Sequence, residues 1–162
     1  MARVLITGMS GAGKSTVLGE LAARGYRTID TDYGGWTDGD GGPWDTDRMA
    51  ALLAEETTVV VSRTSENQGR FYDRFEHVVL LSAPVDVLIE RVRARSNNPY
   101  GHTSEQQREI IAHVAAVEPA LRRGATLELD GRLPPGELAG MIARLAGPPR
   151  PRGGVSSPSR GG

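Results

Sequence analysis

Apolar residues along this chain follow two alternating rhythms. RVLIT at 3–7, TVVVS at 58–62, HVVLLS at 77–82 and ATLELD at 125–130 are short, nearly unbroken runs rich in β-branched residues. That is the character of strands covered on both faces of a parallel sheet. YRTID at 26–30 is a weaker fifth strand. Between these runs, 14–24, 45–56, 84–95, 104–122 and 135–146 place apolar residues at helical spacing. Val85, Leu88, Ile89 and Val92, for example, share one face of a helix entered through Pro84. Strands alternating with helices predict an α/β fold of three layers, a mainly parallel five-stranded sheet flanked by helices.

Two stretches depart from the rhythm. Residues 31–44, TDYGGWTDGDGGPW, are rich in Gly and Asp and too long for a tight connection, which marks a functional or mobile loop. Residues 147–162, GPPRPRGGVSSPSRGG, are expected to be a disordered tail, because they offer too little apolar surface to offset ordering. The expected organisation is therefore one domain over 1–146 and a tail over 147–162. A chain of 162 residues suits one such core.

Charge narrows the partners. The formal net charge is −1, and Lys14 is the only lysine, with the arginines dispersed along the chain. A nucleic-acid surface needs concentrated positive charge, so no nucleic-acid partner is expected. Cysteine is absent, which removes disulfides, zinc–thiolate sites and thiol chemistry. The apolar N-terminal run is too short for a signal segment or a membrane span, so a soluble cytoplasmic protein, monomer or homodimer, is expected.

One stretch carries strong chemistry. GMSGAGKST, residues 8–16, stands between a strand-like run and a helical one, the setting a phosphate-binding P-loop requires. Gly8, Ser10, Gly11, Ala12 and Gly13 would turn backbone N–H groups toward a β-phosphate, and the helix opening near Lys14 adds the positive end of its dipole. Lys14 would bridge the β- and γ-phosphates, Ser15 would ligate Mg²⁺, and Thr16 completes the nucleotide-binding run.

The next acidic pair gives the loop a direction. TIDTD puts Asp30 and Asp32 at the end of the second strand, on one side of an extended chain. Ligands collect at such strand ends in open α/β sheets. One carboxylate can serve the Mg²⁺ shell while the other accepts a hydrogen bond, then a proton, from an attacking hydroxyl. No acidic residue follows the third strand's apolar run, where motors and GTPases carry a metal-binding carboxylate.

With these motifs the chain resembles the shikimate kinase-like branch of the P-loop small-molecule and nucleoside monophosphate kinases over about residues 1–146. The carrying stretches are GMSGAGKST, DTD, VVLLSAPVDVLIERVRAR and VEPALRRGATLELDGRLPP. The resemblance implies Mg·ATP, Asp32 near the acceptor hydroxyl, and Asp30 acting on the metal through water. It implies an arginine packed on the adenine, with Arg91 and Arg95 as counterparts, and a mobile LID at 96–106. It also makes Arg132, Leu133 and Pro134 counterparts of the adenine-contacting turn.

Departures from that family argue against shikimate as the acceptor. SRT at 62–64 stands where a glycine triplet is expected, Asn98 replaces the LID arginine, and Val117 replaces a carboxylate-binding arginine. A valine cannot grip a carboxylate as a guanidinium does. Candidates for the acceptor side are Asp32, Trp36, Trp44, Arg48 and Arg63. The tryptophans suit either stacking on a base or sugar or plain packing of the loop. Residues 65–75 suit either an acceptor-cleft lining through Asn67, Gln68 and Arg70 or simple packing. His77 and His113 have no partner spacing and read as structural. Two functions fit: transfer of the ATP γ-phosphate to a hydroxyl or nucleoside monophosphate, catalysed by Lys14, Asp32 and an arginine such as Arg95, or non-catalytic nucleotide sensing.

Overall fold

The computed structural model describes residues 2–9, 11–31, 35–37, 43–62, 64–65, 67–94 and 102–149. Five strands, β1 (Arg3–Thr7), β2 (Thr28–Asp30), β3 (Val59–Ser62), β4 (His77–Ser82) and β5 (Leu127–Asp130), form one sheet in the order β2-β3-β1-β4-β5. Every pairing is parallel. The helices are α1 (Lys14–Ala23), α2 (Thr46–Glu55), α3 (Val85–Arg93), α4 (Ser104–Gly124) and α5 (Pro135–Ala146), with a 3₁₀ segment at Gln68–Arg74.

A parallel strand needs a crossover to reach its neighbour, and the crossovers cover both faces of the sheet. On one face Val4, Ile6 and Val60 pack with Val17 and Leu21 of α1 and with Leu138 and Ile142 of α5. On the other, Leu5, Val59, Val61 and Val78 pack with Met49 and Leu53 of α2 and with Trp36, Trp44, Phe71 and Phe75. Alternate residues of β1 thus serve different cores, as the two-residue period of a strand demands. β1 is central, with β3 on one side and β4 on the other, and its C-terminal end is the switch point where open α/β sheets hold ligands.

The starts of β2 and β5 differ from the sequence expectation. β2 begins at Thr28 rather than at residue 26, because Tyr26 turns into the α1–α5 core and donates its hydroxyl to the carbonyl of Gly147. β5 begins at Leu127 because Ala125 still closes α4, its N–H donating to Arg122 O. Within the 65–75 stretch, Gln68–Arg74 form the 3₁₀ segment between β3 and β4, with Phe71 buried at 4% exposure. Most of the Gly/Asp-rich loop, 96–101 of the expected LID and most of the tail lie outside the described residues. Residues 104–106 form the first turn of α4, which Thr103 and Gln106 start with a reciprocal capping box.

Candidate functional site

The loop between β1 and α1 can be built only from glycine at its first position. Gly8 has φ 153°, and a Cβ there would lie 2.4 Å from the carbonyl oxygen of Leu81. Ala12 folds back through its N–H to Met9 O at 3.1 Å, and Gly13, left-handed at φ 103°, caps α1 without a side-chain cap. The first N–H groups of α1 are thereby left for a ligand, where the helix dipole favours an anion.

Lys14, the first residue of α1, curls back over this loop. Its ammonium donates to Gly8 O at 2.6 Å and Met9 O at 3.0 Å. Ser15 points the other way, its Oγ donating to Asp30 Oδ2 at 3.4 Å. A hydroxyl and a carboxylate meeting at the loop are hard oxygen donors of the kind Mg²⁺ takes alongside phosphate oxygens, so the residues present fit that metal. Among the described residues, no three His, Cys, Asp or Glu side chains gather as a cage. A Mg²⁺ site of few protein ligands does not need one.

The end of β3 holds the loop from the other side. Thr64 Oγ1 donates to Gly8 O at 2.6 Å, accepts from Gly8 N–H at 3.1 Å and lies 3.0 Å from Thr7 Oγ1. Gln68, 3% exposed, donates to Thr7 Oγ1 at 3.1 Å and to the Tyr72 hydroxyl at 2.8 Å. Sequence reading left Gln68 between an acceptor contact and simple packing, and these hydrogen bonds turn it into the structure. It missed Thr7 and Thr64 altogether; the density of hydroxyl and amide residues in SRTSENQ was the available signal.

Arg91 reaches the loop from α3. Its guanidinium donates to Gly11 O at 3.0 Å and Gly131 O at 2.9 Å, tying the P-loop to the turn after β5. That turn approaches closely because residue 131 has no side chain: a Cβ on Gly131 would lie 2.6 Å from Ala12 O. Beside this junction is a cleft of about 360 Å³ lined by Gly13, Thr16, Arg91, Arg132, Leu133 and Pro134 among others. The structure therefore brings together Gly13, Thr16, Arg91, Arg132 and Pro134, the residues expected on the nucleotide side. Arg132 is exposed and grips Asp130 with Nε and Nη2, holding that carboxyl below the usual aspartate range.

The acceptor side differs from the stacking expectation. Trp44 is 2% exposed, packs against Phe71 at 5.8 Å and donates Nε1–H to Thr31 Oγ1 at 3.0 Å. Asn67 pairs with its backbone, accepting from Trp44 N–H at 2.9 Å and donating to Trp44 O at 3.0 Å. Trp36 is 8% exposed, and the Arg48 guanidinium lies 4.1 Å from its ring centroid. Both rings are loop anchors in the second core rather than open stacking faces, because burying them stabilises a loop otherwise rich in Gly and Asp. Arg48 is exposed on α2. Val117 packs on the first core, as an apolar residue at that position should. Ser10, Asp32, Arg63, Arg95 and Asn98 lie outside the described residues.

Comparison with known proteins agrees with this fold. The AAA domain family matches residues 4–112. No curated protein matches the sequence. The fold is similar to a shikimate kinase from Acinetobacter baumannii in complex with shikimate, with TM-score 0.69, 20% identity, and 90% of this chain and 92% of that one covered. A gluconokinase from Sinorhizobium meliloti 1021 superposes with TM-score 0.60 at 23% identity, over 89% and 93% of the two chains. The YorR protein of Bacillus subtilis, in complex with phosphorylated GDP, does so with TM-score 0.62 at 20% identity, over 88% and 94%. The three-layer parallel architecture expected from the sequence is thus the fold of P-loop kinases.

Proposed function

The chain belongs to the AAA domain family, and from that premise we propose that it is a kinase moving the γ-phosphate of Mg·ATP to a small molecule that presents a hydroxyl. The observation that carries the reading is the arrangement at the head of α1, with Lys14 folded over the Gly8 and Met9 carbonyls and Ser15 directed at Asp30. It supplies one cation for phosphate and one oxygen pair for a metal, side by side at the switch point of the sheet.

In this reading the N–H groups of residues 11–16 cradle the phosphates, and Lys14 leaves the loop carbonyls to neutralise the β- and γ-oxygens. Ser15 and Asp30 hold Mg²⁺, which when bound screens charge on the polyphosphate. Arg91, Arg132 and Pro134 border the base. Asp32, two residues beyond Asp30, orients the acceptor hydroxyl and takes its proton, while Arg95 and the 96–106 LID exclude water. Arg48 and Arg63 border the acceptor. Val117 leaves no arginine there for a carboxylate clamp, which argues for an uncharged acceptor such as a sugar, polyol or cyclitol.

A coupled ADP-release screen over sugars, polyols, cyclitols, hydroxy acids and nucleoside monophosphates tests this. ADP release dependent on one of the hydroxyl acceptors is expected, and Asp32→Asn should lower it by about 10²-fold or more with ATP affinity little changed. Release only with nucleoside monophosphates would move the reading to a nucleotide kinase. ATP binding without release for any acceptor would make the chain a nucleotide sensor.

A further inference from the structure

We propose that Thr64 is a positioning residue whose hydroxyl keeps the Gly8 carbonyl satisfied, so that Lys14 is free to leave it for a polyphosphate. This rests on the reading of the P-loop as a triphosphate site and deepens it. Proton counting sets the direction of the network. A threonine hydroxyl has a single proton to donate. Thr64 spends its proton on Gly8 O, at 2.6 Å, so in the 3.0 Å pair of hydroxyls Thr7 is the donor. Thr7 Oγ1 in turn accepts from Gln68 Nε2 at 3.1 Å. Gln68 is itself fixed, with its other amide proton on the Tyr72 hydroxyl at 2.8 Å and its Oε1 accepting from Ser65 N–H at 2.7 Å. Each member orients the next, and the sequence of bonds ends on the carbonyl of the first P-loop residue.

That carbonyl is the one Lys14 also holds, at 2.6 Å. Gly8 is buried, and its carbonyl faces two donors from different elements. When the ammonium moves to phosphate, a buried carbonyl without a second donor would be stripped of its side-chain partner, which is costly. Thr64 removes that cost and holds the Gly8 N–H as well, at 3.1 Å, so the loop keeps its shape as the lysine departs. The hydroxyl therefore contributes to binding of any nucleotide that draws Lys14 away, and nothing to one too short to do so.

The test is calorimetric titration of the full chain with AMP, ADP and ATP in Mg²⁺, alongside thermal melts. Thr64→Val keeps the side-chain shape without the hydroxyl, and Thr64→Ala removes the hydroxyl without crowding if the valine variant does not fold. Either should lose about tenfold in affinity for ATP and ADP while AMP binding is unchanged, and Thr64→Ser should restore wild-type binding. Wild-type ATP affinity in the valine or alanine variant overturns the assignment. So does an equal loss across all three nucleotides, or a serine variant as weak as alanine, since either marks general loosening of the loop. A wild-type chain that binds none of the three sinks the triphosphate reading itself, and this assignment with it.

Discussion

Lys14→Ala should reduce acceptor-dependent ADP release by about 10³-fold, the scale on which removing a preorganised charge partner acts in a phosphoryl-transfer site. The size follows from there being no substitute of its kind, since the chain has no other lysine. Arg91, the nearest guanidinium from α3, is already held by Gly11 O and Gly131 O, so it cannot take over without releasing the turn after β5. Fold stability should change little, because Lys14 is only partly buried and the Gly8 carbonyl it holds keeps the Thr64 hydroxyl as a donor. Lys14→Arg should recover only part of the rate, as a planar fork replaces a point charge in a loop shaped around an ammonium. Rates within threefold of wild type in the alanine variant would remove Lys14 from the chemistry and with it the kinase reading. A melting temperature lowered in parallel with activity would instead make the lysine a structural clasp.

The loop itself was legible because Gly8, Lys14 and Ser15 stand close together in the chain, so a spacing rule captures them, and flanking strand and helix patterns supplied the context. The helices were read to within a residue or two at most ends, since periodic apolar faces are fixed by the core they pack on. What escaped reading was set by contacts distant in sequence. Thr64 touches Gly8 across 56 residues, and Arg91 reaches Gly11 across 80 and Gly131 across 40, partners that no spacing along the chain records. Tyr26 looked like strand because it is aromatic beside Thr28 and Ile29, yet a core between α1 and α5 claimed it. Val117 carried the opposite lesson, since its identity alone ruled against an arginine's role and its packing on the first core agrees.

Trp44 is where the two sequence-level alternatives, stacking on an acceptor or anchoring a loop, make opposite predictions. Anchoring predicts that Trp44→Ala costs roughly 3–5 kcal/mol, the range for deleting a buried aromatic side chain. For a domain of this size that is a fall in melting temperature on the order of 10 °C. The reason is cumulative: the ring is 2% exposed against Phe71 and the α2 core, and its Nε1–H is one of the bonds holding Thr31 at the end of β2. Trp44→Phe should cost far less, about 1–2 kcal/mol, because most of the packing survives and only the bond to Thr31 is lost. The two variants should also differ in activity. The loop ends at Trp44, so Trp44→Ala should loosen it and raise KM for the acceptor, while Trp44→Phe should leave KM near wild type because Asn67 grips only the backbone at this position. If instead Trp44→Ala melts like wild type and Trp44→Phe alone abolishes acceptor binding, the ring faces the substrate, and the loop is held by something other than its tryptophans.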